Sequence, residues 1–288
     1  MLKNQNDMQN NDTMVTMQNA IVACVDLLGM GERVQELRMP DNAQDEAQVS
    51  KDLTKALGPV IEVDNFITSK MNCRFDHEQL LPIPDSDRTE LEQAMPFMLN
   101  KHNMSDSWYL WVPVAHIPTN KVPEYGIMMF VIVLSELMLN SLAKNKPIRA
   151  GITLGPLILD PKIGPYGPAL MQAHHLESKE AEYPRLLVDH CLVEQQKIIA
   201  VSNPSNKWDI LRINLAKSLL SFFIQDDDGL YCIDYLHIFS AMPDLKNEMQ
   251  NSLIAFAKQE HARFIEKKDA KLALRYNRLL NFILKNIK

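Results

Sequence analysis

Only nine glycines occur in 288 residues, and none falls in a GxGxxG or GxxxxGK[ST] arrangement, which excludes the common dinucleotide turn and Walker-type phosphate loop. The four cysteines, Cys24, Cys73, Cys191 and Cys232, are scattered without a CxxC or other ligand spacing. The sequence therefore predicts reduced thiols, with neither a disulfide nor a zinc site. Positive charge is in short supply as well: 30 Lys and Arg stand against 36 Asp and Glu, a formal charge of −6. That balance argues against a general affinity for nucleic acid or for an anionic membrane. No apolar run approaches the roughly 20 residues of a membrane span; the longest, IMMFVIVL at 127–134, is soon followed by Glu136. The N-terminal MLKNQNDMQNNDTMVTMQN lacks a basic segment leading into an apolar one, so it reads as a polar tail, not a signal peptide. A cytoplasmic protein is expected.

What is present is a chain that is 46% hydrophobic, enough for a sizeable core. Residues 20–27 read as a buried strand. Residues 44–70 and 86–101 read as helices, broken by Pro82, Pro84 and Asp85. The aromatic, β-branched WYLWVPV at 108–114 predicts a strand. Helical periodicity over 126–143 predicts a helix stopped by Pro147, and 148–154 reads as a strand. A Gly/Pro-rich loop over 155–167, a helix over 168–181 and a strand near Arg185 follow. From about Lys246 the chain lacks Gly and Pro and predicts two amphipathic helices. Strands and helices in this order suit an α+β domain with a mainly antiparallel sheet better than a steady βαβ alternation. No internal repeat is found. The run Asp226-Asp227-Asp228-Gly229 lacks the alternating ligands and distant Glu of an EF-hand and reads as a polar turn. The sixteen methionines read as core filler, and the basic residues of 267–288 as a solvated helix face.

Two carboxylates are candidates for the chemistry. In ACVDLLGMGERV, Asp26 ends a buried strand, where an ionised carboxylate is costly unless paired or bound to a cation; it is either the cap of the next helix or part of a site. In MSDSWYLWVPV, Asp106 immediately precedes a strand, as a turn residue or as a second carboxylate. If the two strands are antiparallel neighbours, the carboxylates converge, and two such groups are a common start for a Mg²⁺ or Mn²⁺ site.

The order Asp26-Leu-Leu-Gly29, Ser105-Asp106-Ser107, Pro147-Ile-Arg-Ala-Gly-Ile-Thr-Leu-Gly155, Gly167-Pro-Ala-Leu, Leu176-Glu177, Ala181 and Tyr183-Pro-Arg185 resembles the class III nucleotidyl cyclase superfamily. Within it the chain is most similar to the bacterial pyrimidine cyclases of Pycsar antiphage defence, over roughly residues 18–240. The resemblance implies a ferredoxin-like α+β cyclase domain over 18–245, preceded by a flexible tail at 1–17 and followed by a helical extension at 246–288. It implies two divalent cations, Mn²⁺ or Mg²⁺, on Asp26, the Leu27 carbonyl and Asp106, with the substrate phosphates on the main-chain amides of Leu28, Gly29 and Met30. It also implies a UTP or CTP substrate with UTP ahead, a homodimer with active sites at the interface, and a separate effector switched on by the cyclic nucleotide.

The chain departs from the purine cyclases, which carry an Asn and an Arg four residues apart on the helix after the glycine loop. Aligned through Leu176-Glu177, those positions are Met171 and His175 here. Arg149, His175 and Arg185 are the remaining candidates for substrate or transition-state contacts, Arg149 and Arg185 being equally readable as partners in structural ion pairs. Lys101 and His102 fall where purine cyclases read the base. A catalytically silent cyclase-like domain that binds a nucleotide or a partner, and a purely structural module in which both aspartates are caps, stay open at this point.

Overall fold

The computed structural model describes residues 15–35, 37–71, 97–114, 120–240 and 243–287. A run of small and branched apolar residues makes β1 (Thr16–Leu27) the strand around which the sheet assembles. Residues 20–25 of β1 are at most 1% exposed, so both faces are covered and the strand reads as a continuous apolar run instead of alternating. Its antiparallel neighbours are β3 (Ser107–Pro113) on one side and β4 (Ile148–Asp160) on the other. Beyond β3 lies β2 (Asn100–Met104), joined to it by a tight turn in which Ser105 takes a positive φ of 58°.

Helix α1 (Met30–Gln35) and the long α2 (Glu46–Met71) connect β1 to β2, and α3 (Pro123–Ala143) connects β3 to β4. The first four strands thus lie in the order β2-β3-β1-β4, the ferredoxin-like βαββαβ arrangement. The sheet continues through the short β6 (Leu186–Val188), parallel to β4, and the hairpin of β7 (Phe223–Gln225) and β8 (Tyr231–Ile233). Between β6 and β7 run α5 (His190–Ala200) and α6 (Lys207–Phe222), capped by Asp189 and Asn206, whose side chains accept backbone N–H bonds of the first turn. The 127–134 run lies inside α3, which is long and apolar enough to cross a membrane by length and composition; 78% of its most apolar window is buried inside the protein. It is the core helix of the main sheet face.

Three expectations change. The 155–167 segment is not a loop, because β4 runs on to Asp160 and turns back as β5 (Gly164–Tyr166). Its partner is the start of β1, with Gln18 opposite Leu157 and Thr16 opposite Leu159, a pairing that local Gly and Pro content does not reveal. For the same reason Thr16 and Met17 belong to β1 and not to the tail, whose residues 1–14 lie outside the described set. The helix expected over 86–101 gives way to β2 from Asn100, drawn into the ladder opposite Trp111; residues 86–96 lie outside the described residues.

The chain ends in the helical hairpin α7 (Pro243–Glu266) and α8 (Ala270–Asn286), the latter capped by Asp269. Leu253, Phe256, Tyr276, Leu279 and Phe282 of the hairpin are in the same apolar cluster as the buried face of the sheet and α3. The opposite sheet face has a smaller cluster, Ala20, Val22, Cys24 and Trp111 under Ala169, Leu170 and Ala173 of α4 (Pro168–His175). This second face carries the candidate site.

Candidate active site

Alternation along β1 puts Asp26 on the same face as Cys24 and Val22. The antiparallel pairing on which convergence of the two carboxylates depends is present: Asp26 lies opposite Ser107 on β3 and opposite Arg149 on β4. Both partners hold it. Ser107 Oγ donates to Oδ1 at 3.1 Å, and Arg149 Nε donates to Oδ2 at 3.2 Å. Asp26 is therefore a cross-strand group and not a helix cap. Burial raises its pKa; the Arg149 charge and the Ser107 bond oppose that rise, and the neighbouring Asp106 carboxylate adds to it.

Asp106 occupies the β2–β3 turn, and its carbonyl accepts the Leu27 N–H at 3.1 Å. It is a turn residue and a neighbour of Asp26 at once. The N–H and C=O of one extended residue face the same neighbouring strand, so the Leu27 carbonyl opens toward the Asp106 turn. Two carboxylates and a carbonyl form an all-oxygen donor set, which fits Mg²⁺ or Mn²⁺.

The turn after β1 depends on Gly29, whose φ of +84° is strained for any residue with a Cβ. The Leu28 amide, expected to hold phosphate, is already given to the Pro147 carbonyl at 2.9 Å. Gly29 and Met30 remain at the start of α1. Beyond them lies a cleft of about 810 Å³ whose walls include Gly29, Gly31, Lys55, Arg263, Arg275 and Tyr276. Burial lowers the pKa of Arg275, as does the nearby Arg149 charge, and the Asp26 carboxylate opposes both. A cation of the C-terminal hairpin, anchored by its Nε–H on the Glu182 carbonyl at 2.9 Å, thus comes within electrostatic reach of the aspartate at the end of β1.

Arg149 also lies against Glu177 as an ion pair, with Nε 2.7 Å from Oε1, and donates through Nη1 to the Ala181 carbonyl. Glu177 is carried by a π-helical turn, Leu176–Glu180, that continues α4. The turn can press onto the sheet because Gly151 of β4 has no side chain: a Cβ there would come within 2.2 Å of the Ala173 carbonyl and 2.6 Å of the Glu177 nitrogen. Gly151 is directly opposite Cys24. Burial pushes the Glu177 carboxyl up to about 7, with Arg149 opposing and Asp26 reinforcing. The folded state thus holds this proton more tightly than the unfolded chain. Its contribution to stability is full below the ordinary 4.5 and is lost as pH rises through about 7. Glu177→Gln is expected to remove that decline, about 2 kcal/mol, from the unfolding free energy measured against pH in a chelating buffer; an unchanged slope would refute the assignment.

The other candidates are placed differently. The Arg185 side chain is 1% exposed and pairs with Asp226 at 2.8 Å and Asp228 at 2.7 Å while lying over the Tyr183 ring. It anchors the β7–β8 turn, which is the polar turn read from the Asp-Asp-Asp-Gly run. His175 is exposed, 3.5 Å from Glu180, and Met171 is 63% exposed. Lys101 reaches α2, bonding Asp64 and Thr68, and His102 abuts Gly164 of the β4–β5 hairpin. The sequence reading missed Ser107, Arg275 and the role of Glu177, which it used only as an alignment mark. The shared face of Cys24 and Asp26 was legible from their spacing of two.

No protein-family model matches the chain, and no curated protein sequence matches it. Among solved structures, the adenylyl cyclase CyaB from P. aeruginosa overlaps 76% of this chain and 95% of its own, at 12% identity and a TM-score of 0.43. A class III adenylyl cyclase-like ATP-binding protein from Pseudomonas aeruginosa overlaps 75% of this chain and 43% of its own, at 9% identity and a TM-score of 0.44. A bacterial light-regulated adenylyl cyclase overlaps 80% and 98%, at 11% identity and a TM-score of 0.38. These overlaps are loose, and the functional reading rests on the residues of this chain.

Proposed function

We propose that the protein is a nucleotidyl cyclase that converts a pyrimidine ribonucleoside triphosphate, UTP ahead of CTP, to its 3′,5′-cyclic monophosphate and pyrophosphate. The observation that carries the reading is that Asp26, opposite Ser107 on β3, and Asp106, whose carbonyl accepts the Leu27 N–H, come together at one end of adjacent antiparallel strands, next to a cleft lined by Lys55, Arg263 and Arg275 together with Asp52 and Glu260. Asp26, Asp106 and the Leu27 carbonyl would hold two divalent cations. When bound, these ions supply a lowered pKa for the ribose 3′-hydroxyl and charge neutralisation on the departing pyrophosphate.

The chain itself supplies position and fixed charge. Ser107 and Arg149 hold the Asp26 carboxylate from both flanking strands, so its orientation is set before substrate arrives. The Gly29 and Met30 amides at the start of α1 offer donors to phosphate oxygens, and Lys55 and Arg275 of the cleft bring positive charge to them, Arg263 being paired with Glu260 at 2.8 Å. No protein nucleophile takes part; alignment of the hydroxyl with the α-phosphorus is the contribution of the fold. The preference for a pyrimidine, the antiphage role, the separate effector and the cytoplasmic location rest on the sequence resemblance. A homodimer with two equivalent interfacial sites follows from the same resemblance and fits the common C₂ arrangement.

A second reading, a silent nucleotide-binding domain, is favoured by Met171 and His175, neither of which offers the hydrogen-bonding amide or fixed charge of the family's transition-state pair. Incubation of the purified protein with each of the four ribonucleoside triphosphates and Mn²⁺, followed by chromatography, separates the two. Cyclic UMP as the main product is the expected result. Thermal stabilisation by nucleotide without any product would favour the silent domain, and neither product nor stabilisation would remove both readings.

A further inference from the structure

We propose that Cys24, His174 and Glu177 form a binding site for Zn²⁺ or a similar borderline transition metal, distinct from the oxygen donors Asp26 and Asp106 and independent of cyclisation. Among the described residues this is the only group of three or more Cys, His or carboxylate side chains close enough to share one ion. Cys24 Sγ lies 3.7 Å from His174 Nδ1 and 3.9 Å from Glu177 Oε2, and His174 Nδ1 is 3.6 Å from Glu177 Oε2. Tetrahedral zinc with ordinary bond lengths puts such ligand atoms roughly 3.3–3.6 Å apart. Closure by a few tenths of an ångström completes the set.

The rest of the architecture suits a ligand site. Gly151, opposite Cys24, lets the π-turn descend until Glu177 meets the sulfur. Arg149 forms an ion pair on the Oε1 side of Glu177 while Oε2 faces Cys24 and His174, an outer charge contact that helps to orient a metal-bound carboxylate. Cys24 is 1% exposed and Glu177 3%, whereas the His174 side chain is 56% exposed, which gives an ion a route from solvent and leaves a fourth position for water. One sulfur, one imidazole nitrogen and one carboxylate oxygen prefer zinc to Mg²⁺, which takes oxygen ligands. On binding, Cys24 coordinates as the thiolate and its proton passes to solvent. A nucleophilic role for this cysteine is not favoured, since burial, reinforced by Glu177 and Asp26, holds its pKa well above that of a free thiol.

The test uses the full chain with Co²⁺ as a spectroscopic probe and Zn²⁺ in equilibrium dialysis. One Co²⁺ per chain with the visible bands of a tetrahedral ion and a thiolate charge-transfer band is expected, displaced by Zn²⁺ and not by excess Mg²⁺. Cys24→Ser should remove the charge-transfer band, and His174→Ala should weaken binding at least about tenfold; Cys191→Ser should change neither. Because His174 is exposed, its variant tests the site even if Cys24→Ser fails to fold. Absence of binding at micromolar Co²⁺, or bands and affinity that persist in both the Cys24 and His174 variants, would overturn the proposal.

Discussion

Asp26→Asn is expected to lower nucleotide cyclisation at least about a hundredfold, the scale of loss when a group stabilising developing charge is removed, without loss of thermal stability. The amide cannot replace the carboxylate as a cation ligand, so the activated hydroxyl goes with it. The fold is spared because Asp26 is raised in pKa, chiefly by burial. A carboxyl so shifted contributes most at low pH and loses that contribution as pH rises through its folded pKa, so a neutral Asn does not carry the cost of the buried charge. Arg149 retains Glu177 as a partner. Asp106→Asn is expected to show the same loss of turnover. Product formation and melting temperature measured on the same preparations check both halves; near-normal turnover in either variant would sink the metal assignment.

Arg185→Ala is expected to cost about 3–5 kcal/mol of folding free energy, the usual consequence of removing one partner from a buried ion cluster. The side chain is 1% exposed. Its loss would leave Asp226 and Asp228 without their shared cation, and the Glu180 carbonyl with the Glu182 N–H as its remaining donor. The Tyr183 hydroxyl, which donates to Asp226 at 2.5 Å, and the Asp227 N–H, at 2.9 Å, would hold that carboxylate without the guanidinium. Urea unfolding curves measure the effect. If Arg185 instead touched substrate, the variant would unfold at the normal denaturant concentration and lose turnover alone.

How much of the site could be read in advance differs residue by residue. Asp26 was legible because a carboxylate closing a run as apolar as IVACV has to be accounted for. Asp106 was legible because it abuts a strand whose composition is unmistakable; the antiparallel pairing that joins the two was a condition of the reading, and the fold supplies it. Arg149 stood out as a cation two residues before Gly151. Arg185 looked equivalent from the sequence, yet its charge is spent on a turn 41 residues further on. Lys101, which falls where purine cyclases read the base, likewise has its partner far off in sequence: Asp64 lies on a helix 37 residues earlier. A charge is visible in a sequence, but the group that neutralises it is not.

The sequence by itself determined the buried strand, the helices with strong apolar periodicity, the α+β class and the position of both aspartates, since each depends on local composition and on a period of 2 or 3.6. Only the tertiary structure decided which side chains meet. The 155–167 segment became strand because the start of β1 lies beside it. The cysteine spacing gave no hint of a zinc site because the sulfur and its two companions are 150 and 153 residues apart, and a missing Cβ at Gly151 is what lets them approach. Arg275 came to the cleft only because the apolar faces of α7 and α8 fold back onto the sheet. Local pattern sets which face a residue takes; contact between distant residues is set by burial of those faces against one another, which no short window of sequence contains.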